Sequence, residues 1–313
     1  MTQDIRPAMD AHEVREILEG CIGHSPQSVR RISSGQISST FECLANGEPY
    51  IVQFNEPDMA AGLTIERRFS KRLSEAGIPL RQVICDGEHD ELRWTVTRKA
   101  VGERMTALTR EACEGALPSV FDTLIALSAV DIANTVGYGW MDEDAKGGWG
   151  SWEAHLSFVR EEEPAGMFYG KWHGLFDTTF LERDRFDEYF REMTRLSEGL
   201  GAPRRLVHGG FGYDNVLIHE GQVSAVLDWQ DARFGDPLFD VAYLDFWPSG
   251  FDLVDLYESH CGKKGLLHEN YRHRITCYKY YIGLDAMRFF AKTENRGAYD
   301  QVLEIVEDLK DGW

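Results

Sequence analysis

The chain has 313 residues, of which 43% are hydrophobic and 12% aromatic, and its formal net charge is −19. This composition is typical of a globular protein with one large domain or two lobes. The excess of carboxylates argues against binding to a nucleic-acid backbone, which needs clustered Lys and Arg. A concave acidic surface would attract a cationic ligand, whereas acidity spread over the whole surface would provide only solubility.

No segment of the sequence indicates a membrane protein. No stretch approaches the roughly 18 consecutive apolar residues of a membrane span, and the N-terminal residues lack the apolar run of a signal peptide. We therefore expect a cytoplasmic monomer that binds neither membrane nor nucleic acid. The cysteines are scattered, without a close pair that could bind a metal or act as a redox couple, and are predicted to be reduced core thiols. They are Cys21, Cys43, Cys85, Cys113, Cys261 and Cys277.

The N-terminal part of the chain predicts a small antiparallel sheet with one main helix. A short helix is indicated over residues 10–20, where Asp10 and Glu13 form a capping-box pattern. The main helix is predicted to begin at Thr64 and to stop at Gly77. Alternating apolar residues and turn signals predict the strands. These strands cover residues 29–32, 40–44, 50–54, 85–87 and 94–97.

From about residue 105 onward the pattern is mainly helical. One pair of strands interrupts the helices around a turn at Glu220-Gly221, and residues 147–150, which are rich in glycine, are predicted to form a mobile loop. The sequence thus indicates an α+β fold with two lobes, residues 1–100 and residues 101–313. The predicted helices of the second lobe cover residues 110–130, 152–162, 180–200 and 271–292.

Two polar residues at neighbouring strand ends are candidate metal ligands. Asn215 begins the first strand of the interrupting pair, and Asp228 ends the second. An amide oxygen and a carboxylate from these positions can converge on one magnesium ion, which prefers oxygen ligands. In the alternative interpretation Asn215 caps a turn and Asp228 is a surface acid. That alternative fits poorly with the apolar flanks of Asp228, because an acid in such company usually has a specific partner.

The order of motifs around this pair resembles the aminoglycoside phosphotransferase family. The similarity extends over nearly the whole chain and includes its hygromycin-type members. It implies a protein-kinase-like fold, ATP or GTP in the cleft between the lobes, magnesium, and transfer of the γ-phosphate to a hydroxyl of an aminoglycoside or related small molecule. The motifs are His208-Gly209-Gly210, four residues and Asn215, then Leu227-Asp228-Trp229, Gly235-Asp236-Pro237 and Asp240-Val241-Ala242.

The resemblance also assigns roles within the lobes. It implies that Asn215 and Asp228 hold magnesium, that His208 braces the catalytic loop, and that the loop of residues 33–39 covers the phosphates. Glu66 would pair with a basic residue on the third strand, but that position is Gln53, which carries no charge. The residues expected at the nucleotide are Ser34, Gly35, Ser38, Gln53, Glu66, Arg98, Lys99 and Ala100.

Acidic and aromatic residues of the second lobe are candidate contacts for a cationic substrate. Carboxylates suit an amino-substituted sugar, and tryptophan rings can stack on sugar rings. In the alternative interpretation these acids lie on solvated helix ends and the tryptophans only pack. The candidates are Asp142, Trp152, Glu161, Glu162, Asp231, Asp245 and Asp285.

Gly210 stands where the family has the aspartate that accepts the acceptor's proton. Three explanations remain open. The first is the loss of the base from an otherwise active enzyme, and the second is a pseudokinase that binds nucleotide or drug without transferring phosphate. In the third, another acid takes the role, with Asp214, Asp231 and Asp236 as nearby candidates.

Overall fold

A computed structural model describes residues 6–32, 38–56, 61–142, 144–164 and 167–310, with the side chains of residues 61–64 excepted. The predicted nucleotide contacts Ser34 and Gly35 lie outside the described residues. Helix α1 spans Ala11–Ile22 and begins at the predicted capping box. The side chain of Asp10 accepts hydrogen bonds from the backbone N–H groups of His12 and Glu13, and the Glu13 carboxylate accepts one from the backbone N–H of Asp10.

A five-stranded antiparallel sheet forms the N-terminal lobe in the order β1-β2-β3-β5-β4. Helix α2, Ala61–Glu75, connects β3 to β4. One face of the sheet packs against α1, where Val14 and Leu18 contribute to a core with Phe54 and Val96. The strands are β1 Ser28–Ile32, β2 Ser39–Ala45, β3 Glu48–Asn55, β4 Val83–His89 and β5 Leu92–Arg98.

The structure corrects the prediction for two of the cysteines. Cys21, in α1, and Cys85, in β4, form a disulfide between Cα atoms 6.1 Å apart. The disulfide was not predictable from sequence spacing because 64 positions separate the two residues, and only the packing of α1 beside β4 brings them together. The four other cysteines are buried free thiols, as predicted.

The C-terminal part is mainly helical, and α6, α7 and α10 pack around the long helix α9. Helix α4 is shorter than predicted, because it gives way to a 3₁₀ turn over Phe158–Arg160. Within the described ranges, no helix has both the length and the apolar character needed to cross a membrane. The helices are α3 Arg110–Ser128, α4 Trp152–Ser157, α5 Leu175–Thr178, α6 Arg183–Ser197, α7 Leu238–Phe246, α8 Leu253–Lys263, α9 Tyr271–Lys292 and α10 Arg296–Asp308.

Two small sheets lie among these helices, in the orders β11-β10-β6 and β8-β7-β12-β9. The predicted mobile loop at residues 147–150 is wrong, because Gly147–Trp149 forms strand β8 against β7. A Cβ on Gly147 would lie 2.4 Å from the backbone nitrogen of Tyr138, so only glycine permits this close pairing. The strands are β6 Glu103–Arg104, β7 Tyr138–Met141, β8 Gly147–Trp149, β9 Arg205–Val207, β10 Val216–His219, β11 Gln222–Val226 and β12 Arg233–Gly235.

Helix α2 belongs to the N-terminal lobe in sequence, but it packs on the C-terminal core. Its buried residues Ile65, Phe69 and Leu73 join that core, and the ring of Phe69 meets the edge of Phe234 in β12 at a centroid distance of 6.1 Å. The helix also contacts the turn of Trp229–Asp231. This packing carries Glu66 to the end of β11, beside Asp228.

Candidate active site

A buried carboxylate and a buried imidazole hold the loop between β9 and β10. Asp240, at the start of α7, accepts the backbone N–H groups of His208 and Gly209, each at 2.8 Å. The Nδ1 atom of His208 lies 3.2 Å from the backbone nitrogen of Gly210, and its Nε2 atom lies 2.9 Å from the carbonyl oxygen of Leu227. A neutral ring satisfies both contacts, with Nδ1 accepting and Nε2–H donating.

The ionisation of these two groups follows from their burial. Burial lowers the pKa of His208 to about 4, so the ring is neutral near pH 7. Burial raises the pKa of Asp240 to about 7, against the opposing effect of the two backbone N–H donors, which favour the carboxylate. His208 therefore acts as a fixed brace between the loop and the end of β11.

Gly209 and Gly210 differ sharply in the room around them. Gly209 has a φ of +83°, and a Cβ there would lie 2.1 Å from the carbonyl oxygen of Asp231. Gly210 is outside the left-handed region, and a Cβ there would meet its nearest atoms, in Asn215 and His208, at 3.8 and 3.9 Å. The backbone thus requires glycine at position 209 and accepts a side chain at position 210.

The two candidate metal ligands are tied to the same loop. The Nδ2 atom of Asn215 donates to the carbonyl oxygen of Gly210 at 2.9 Å, which directs the amide oxygen of Asn215 away from that bond. The backbone nitrogen of Leu227 donates to the carbonyl oxygen of Asn215 at 2.8 Å, so Asp228 follows directly after a link between the two strands. An amide oxygen and a carboxylate are ligands that fit magnesium.

Asp228 has the unusual setting that a metal ligand would have. Its φ of +66° is left-handed, which is uncommon for a residue other than glycine. The residue is accessible to solvent, but many protein atoms lie around its carboxyl, and this desolvation raises the pKa of the carboxyl. The positive charge of Arg81 opposes the rise, and the negative charge of Glu66 adds to it.

Arg81 is a residue that the sequence reasoning missed. It lies between α2 and β4, and its guanidinium contacts both oxygens of Glu66 at 2.8 to 3.1 Å and the Gln53 amide oxygen at 2.9 Å. The side chains of Arg81 and Glu66 are only 14% and 5% exposed. Residues in an irregular connection follow no periodic pattern, so only the predicted absence of a basic partner for Glu66 could have prompted a search for this arginine.

The remaining predicted nucleotide contacts have partners within the N-terminal lobe. Ser38 donates to the side-chain oxygen of Asn55 at the end of β3. The side chains of Arg98 and Lys99 pair on the surface with Glu48 at 2.8 Å and Glu42 at 2.5 Å. The nucleotide contacts of Ser38, Arg98, Lys99 and Ala100 stay predictions.

Of the predicted substrate residues, Asp231 lies in the turn directly after Asp228, and Asp285, on α9, pairs with Arg288 at 2.6 Å. Burial raises the pKa of Asp231 to about 6; Arg233 opposes this rise, and the charges of Asp228 and Asp285 add to it. The Asp231 side chain is half exposed and so remains open to a ligand. Burial, and after it the charges of Asp231, Asp285 and Asp228, raises the pKa of the hydroxyl of Tyr243, a residue that the sequence did not point to.

Other predicted substrate residues are engaged elsewhere. Trp152 is in the core at 2% exposure and covers the face of Gly235, where a Cβ would lie 2.3 Å from its ring. Asp142 accepts the backbone N–H groups of Asp144 and Lys146 in the turn after β7. Asp245 pairs with Lys279 at 2.5 Å, Glu162 with Lys171 at 3.0 Å, and the carbonyl oxygen of Glu161 accepts the indole N–H of Trp172.

Asp236 is the one alternative base that its surroundings remove from consideration. It is fully buried, and its oxygens accept hydrogen bonds from the Arg274 guanidinium and the Tyr278 hydroxyl. Asp214 is exposed and accepts the hydroxyl of Thr106 at 3.0 Å. Asp231, half exposed and beside Gly209, is the acid best placed to act in the loop.

A sheet lobe, a helical lobe, and a braced loop followed by Asn215 and Asp228 define a kinase-like phosphotransferase fold. A profile of the Phosphotransferase enzyme family matches residues 28–260, and the chain belongs to that family.

Two curated relatives match over most of this chain. Hygromycin-B 4-O-kinase of Escherichia coli is 26% identical over 224 residues, which cover 71% of this chain and 63% of that protein. Acyl-CoA dehydrogenase family member 11 of Gallus gallus is 25% identical over 270 residues, which cover 78% of this chain and 32% of that protein. The chain thus matches less than two thirds of the length of either relative.

Solved structures agree on the fold. Aminoglycoside phosphotransferase APH(4)-Ia superposes with a TM-score of 0.81 at 22% identity, covering 97% of this chain and all of that one. A thermostable mutant of the same protein, in a ternary complex with AMP-PNP and hygromycin B, gives a TM-score of 0.79 at 23% identity, covering 95% of this chain and 97% of that one. At these identities the likeness shows the kinase-like fold.

Proposed function

We propose that this protein is an ATP-dependent O-phosphotransferase that acts on a hydroxyl of a cationic small molecule, of the hygromycin-like aminoglycoside class. One observation carries the proposal. Asp240 and the Asn215 side chain hold the loop of residues 208–215 in place, although position 210 lacks the expected base. Such bracing is needed where a loop must hold a nucleotide, its metal and an acceptor in register.

Asn215 and Asp228 would hold magnesium in this proposal. Their oxygens suit the ion, and the raised pKa of Asp228 is what an unpaired carboxyl in a protein-lined cleft acquires. Bound magnesium supplies charge neutralisation of the transferring phosphoryl group. Its presence would also favour the ionised form of Asp228.

The acceptor site would lie on the side of Asp228 that faces α9. Asp231 provides negative charge there, Asp285 adds to it although Arg288 pairs with its carboxylate, and Tyr243 provides a hydroxyl and a ring. Substituted ammonium groups pair well with carboxylates, and the two acids are close enough to influence one another electrostatically. The curated relative named for hygromycin and the solved complex with hygromycin B support this substrate class.

The acceptor's proton leaves by one of two routes. In the first, solvent water takes the proton as the new O–P bond forms, and the rate is reduced but not abolished, because positioning and charge neutralisation supply most of the catalysis. In the second, Asp231 accepts the proton. A pKa of about 6 leaves Asp231 ionised but still basic near pH 7, and its backbone carbonyl lies beside Gly209.

A second function, nucleotide or drug binding without transfer, is favoured by the absence of both the loop aspartate and a cation at position 53. The two functions are separated by incubating the protein with ATP, magnesium and an aminoglycoside panel and by detecting phosphorylated drug by mass spectrometry. The proposal requires a phosphorylated product that disappears in the Asp228→Asn variant. Binding of nucleotide and drug by calorimetry, with no product from wild type or from Gly210→Asp, would establish the second function instead.

A further inference from the structure

The proposed nucleotide site contains an arginine in an unexpected place. The expected basic residue on β3 is Gln53, yet the carboxylate of Glu66 is not without a cation. Arg81 contacts that carboxylate through Nε and Nη2, in the two-point geometry that a guanidinium forms with a carboxylate. Both side chains are nearly buried, so the surrounding protein restricts their movement.

Gln53 takes part in the same arrangement. Its amide oxygen accepts Nη1–H of Arg81 at 2.9 Å, so the third strand orients the arginine instead of supplying the charge. A guanidinium carries five N–H donors. Nε, one N–H of Nη1 and one N–H of Nη2 are used by Glu66 and Gln53, which leaves two donors for a further acceptor.

Two contacts bring Arg81 close to Asp228. The backbone N–H of Val226, two residues before Asp228, donates to the carbonyl oxygen of Pro79, two residues before Arg81, at 2.9 Å. Helix α2, which carries Glu66, contacts the Trp229–Asp231 turn that directly follows Asp228. A phosphate chain held at Asp228 would therefore lie near the Arg81 guanidinium.

We propose that Arg81 binds the phosphate chain of the nucleotide and replaces the cation that β3 lacks, with Glu66 and Gln53 holding it in position. This inference rests on the proposed function, since it presumes a nucleoside triphosphate in the cleft. The site requires a ligand with phosphate groups. A nucleoside without phosphates would gain nothing from Arg81.

The test compares AMP-PNP with adenosine by calorimetry in the presence of magnesium. We expect Arg81→Gln to weaken AMP-PNP binding by about 10- to 100-fold, the range of a lost charge-assisted contact, and to leave adenosine binding unchanged. The double variant Arg81→Gln/Gln53→Arg returns a cation to β3 opposite Glu66 and is expected to recover most of the affinity. Arg67→Gln is the matched control, because Arg67 also pairs with a carboxylate, Asp86, but in an exposed position.

Two further variants guard against misfolding. Arg81→Lys keeps a cation beside Glu66, and Glu66→Gln/Arg81→Gln removes both charges, so that no buried carboxylate is left unpaired. If Arg81 were purely structural, Arg81→Gln would lower the melting temperature and weaken the binding of AMP-PNP and adenosine equally. That outcome, or wild-type affinity of Arg81→Gln for AMP-PNP, overturns the inference. If the wild-type protein binds neither ligand, the proposed function itself fails, and this inference fails with it.

Discussion

The substitution Gly210→Asp tests what the catalytic loop lacks. The backbone at this position has a φ that any residue can adopt, and a Cβ would have no neighbour closer than 3.8 Å. Asn215 and the His208 ring contact only backbone atoms of position 210, and Asp240 contacts the backbone of His208, so an added side chain at position 210 breaks none of these hydrogen bonds.

The expected effect of Gly210→Asp is small on stability and large on rate. Replacing a glycine whose φ suits other residues stabilises a protein by about 0.4 to 1 kcal/mol, because the unfolded chain has less conformational freedom. This gain offsets part of the repulsion between the new carboxylate and Asp228. We therefore expect the free energy of unfolding to change by no more than about 1 kcal/mol. A positioned base contributes about 10²- to 10⁴-fold in rate, so kcat should rise by that factor if the wild-type protein uses no other base.

The assay measures ADP release and drug phosphorylation with hygromycin B and other aminoglycosides under saturating ATP and magnesium. Gly210→Asn is the matched control, because it has nearly the same shape as Gly210→Asp but no basic oxygen. Gly210→Ala reports any effect of the added Cβ alone. Nucleotide affinity is expected to be similar in all these proteins, since the change affects proton removal and not the phosphate contacts.

Equal rates for Gly210→Asp and Gly210→Asn would refute the missing-base explanation. If the wild-type protein is already fast, the Asp231→Asn variant decides the matter. A loss of about 10²-fold or more in wild type, but not in Gly210→Asp, would assign the base to Asp231. A small effect in both proteins would mean that positioning alone carries the reaction.

Three further results are expected from the same site. Gly209→Ala should destabilise the protein by several kcal/mol, in contrast to Gly210→Ala, because its Cβ would collide with the backbone of Asp231; chemical denaturation measures the difference. The folded-state pKa of His208 is depressed to about 4, so stability is fully present above about pH 6.5 and should fall by about 3 kcal/mol as the pH drops to 4. His208→Gln should lack that part of the pH dependence, and an unchanged dependence would contradict the burial argument. Asp228→Asn should abolish the magnesium-dependent rise in melting temperature with ATP, and a retained rise would exclude this carboxylate as a metal ligand.

Local patterns were sufficient for much of the fold. Helix α9 has the bounds that its apolar periodicity predicts, and the capping box starts α1 where expected. Strand β8 was not predictable from its glycines, because its conformation depends on pairing with β7. The disulfide Cys21–Cys85 depends on the packing of distant elements in the same way.

The site divides along similar lines. The proximity of Asn215 and Asp228 was predictable because they flank the paired strands β10 and β11, and their role as metal ligands stays a prediction. The burial of Trp152 in the core could not be predicted, because a core tryptophan and a ligand-binding tryptophan occur in the same sequence patterns. Arg81 illustrates a further limit, because its role is defined by partners on α2 and β3 that are 15 and 28 positions away.

Gln53 and Gly210 both replace a charged residue that the family is expected to have, but the two replacements have different physical consequences. In our proposal Arg81 substitutes for the charge missing from β3, since its guanidinium contacts both Glu66 and the amide oxygen of Gln53. Among the described residues, the carboxylate missing from position 210 has no such substitute in contact with the loop, although a Cβ there would make only ordinary van der Waals contacts with Asn215 and His208. A site that had lost its ligand would not need to keep a nearly buried arginine oriented by two side chains. The arrangement therefore favours retained binding of a polyphosphate, and it leaves proton removal as the single step that Gly210 alters.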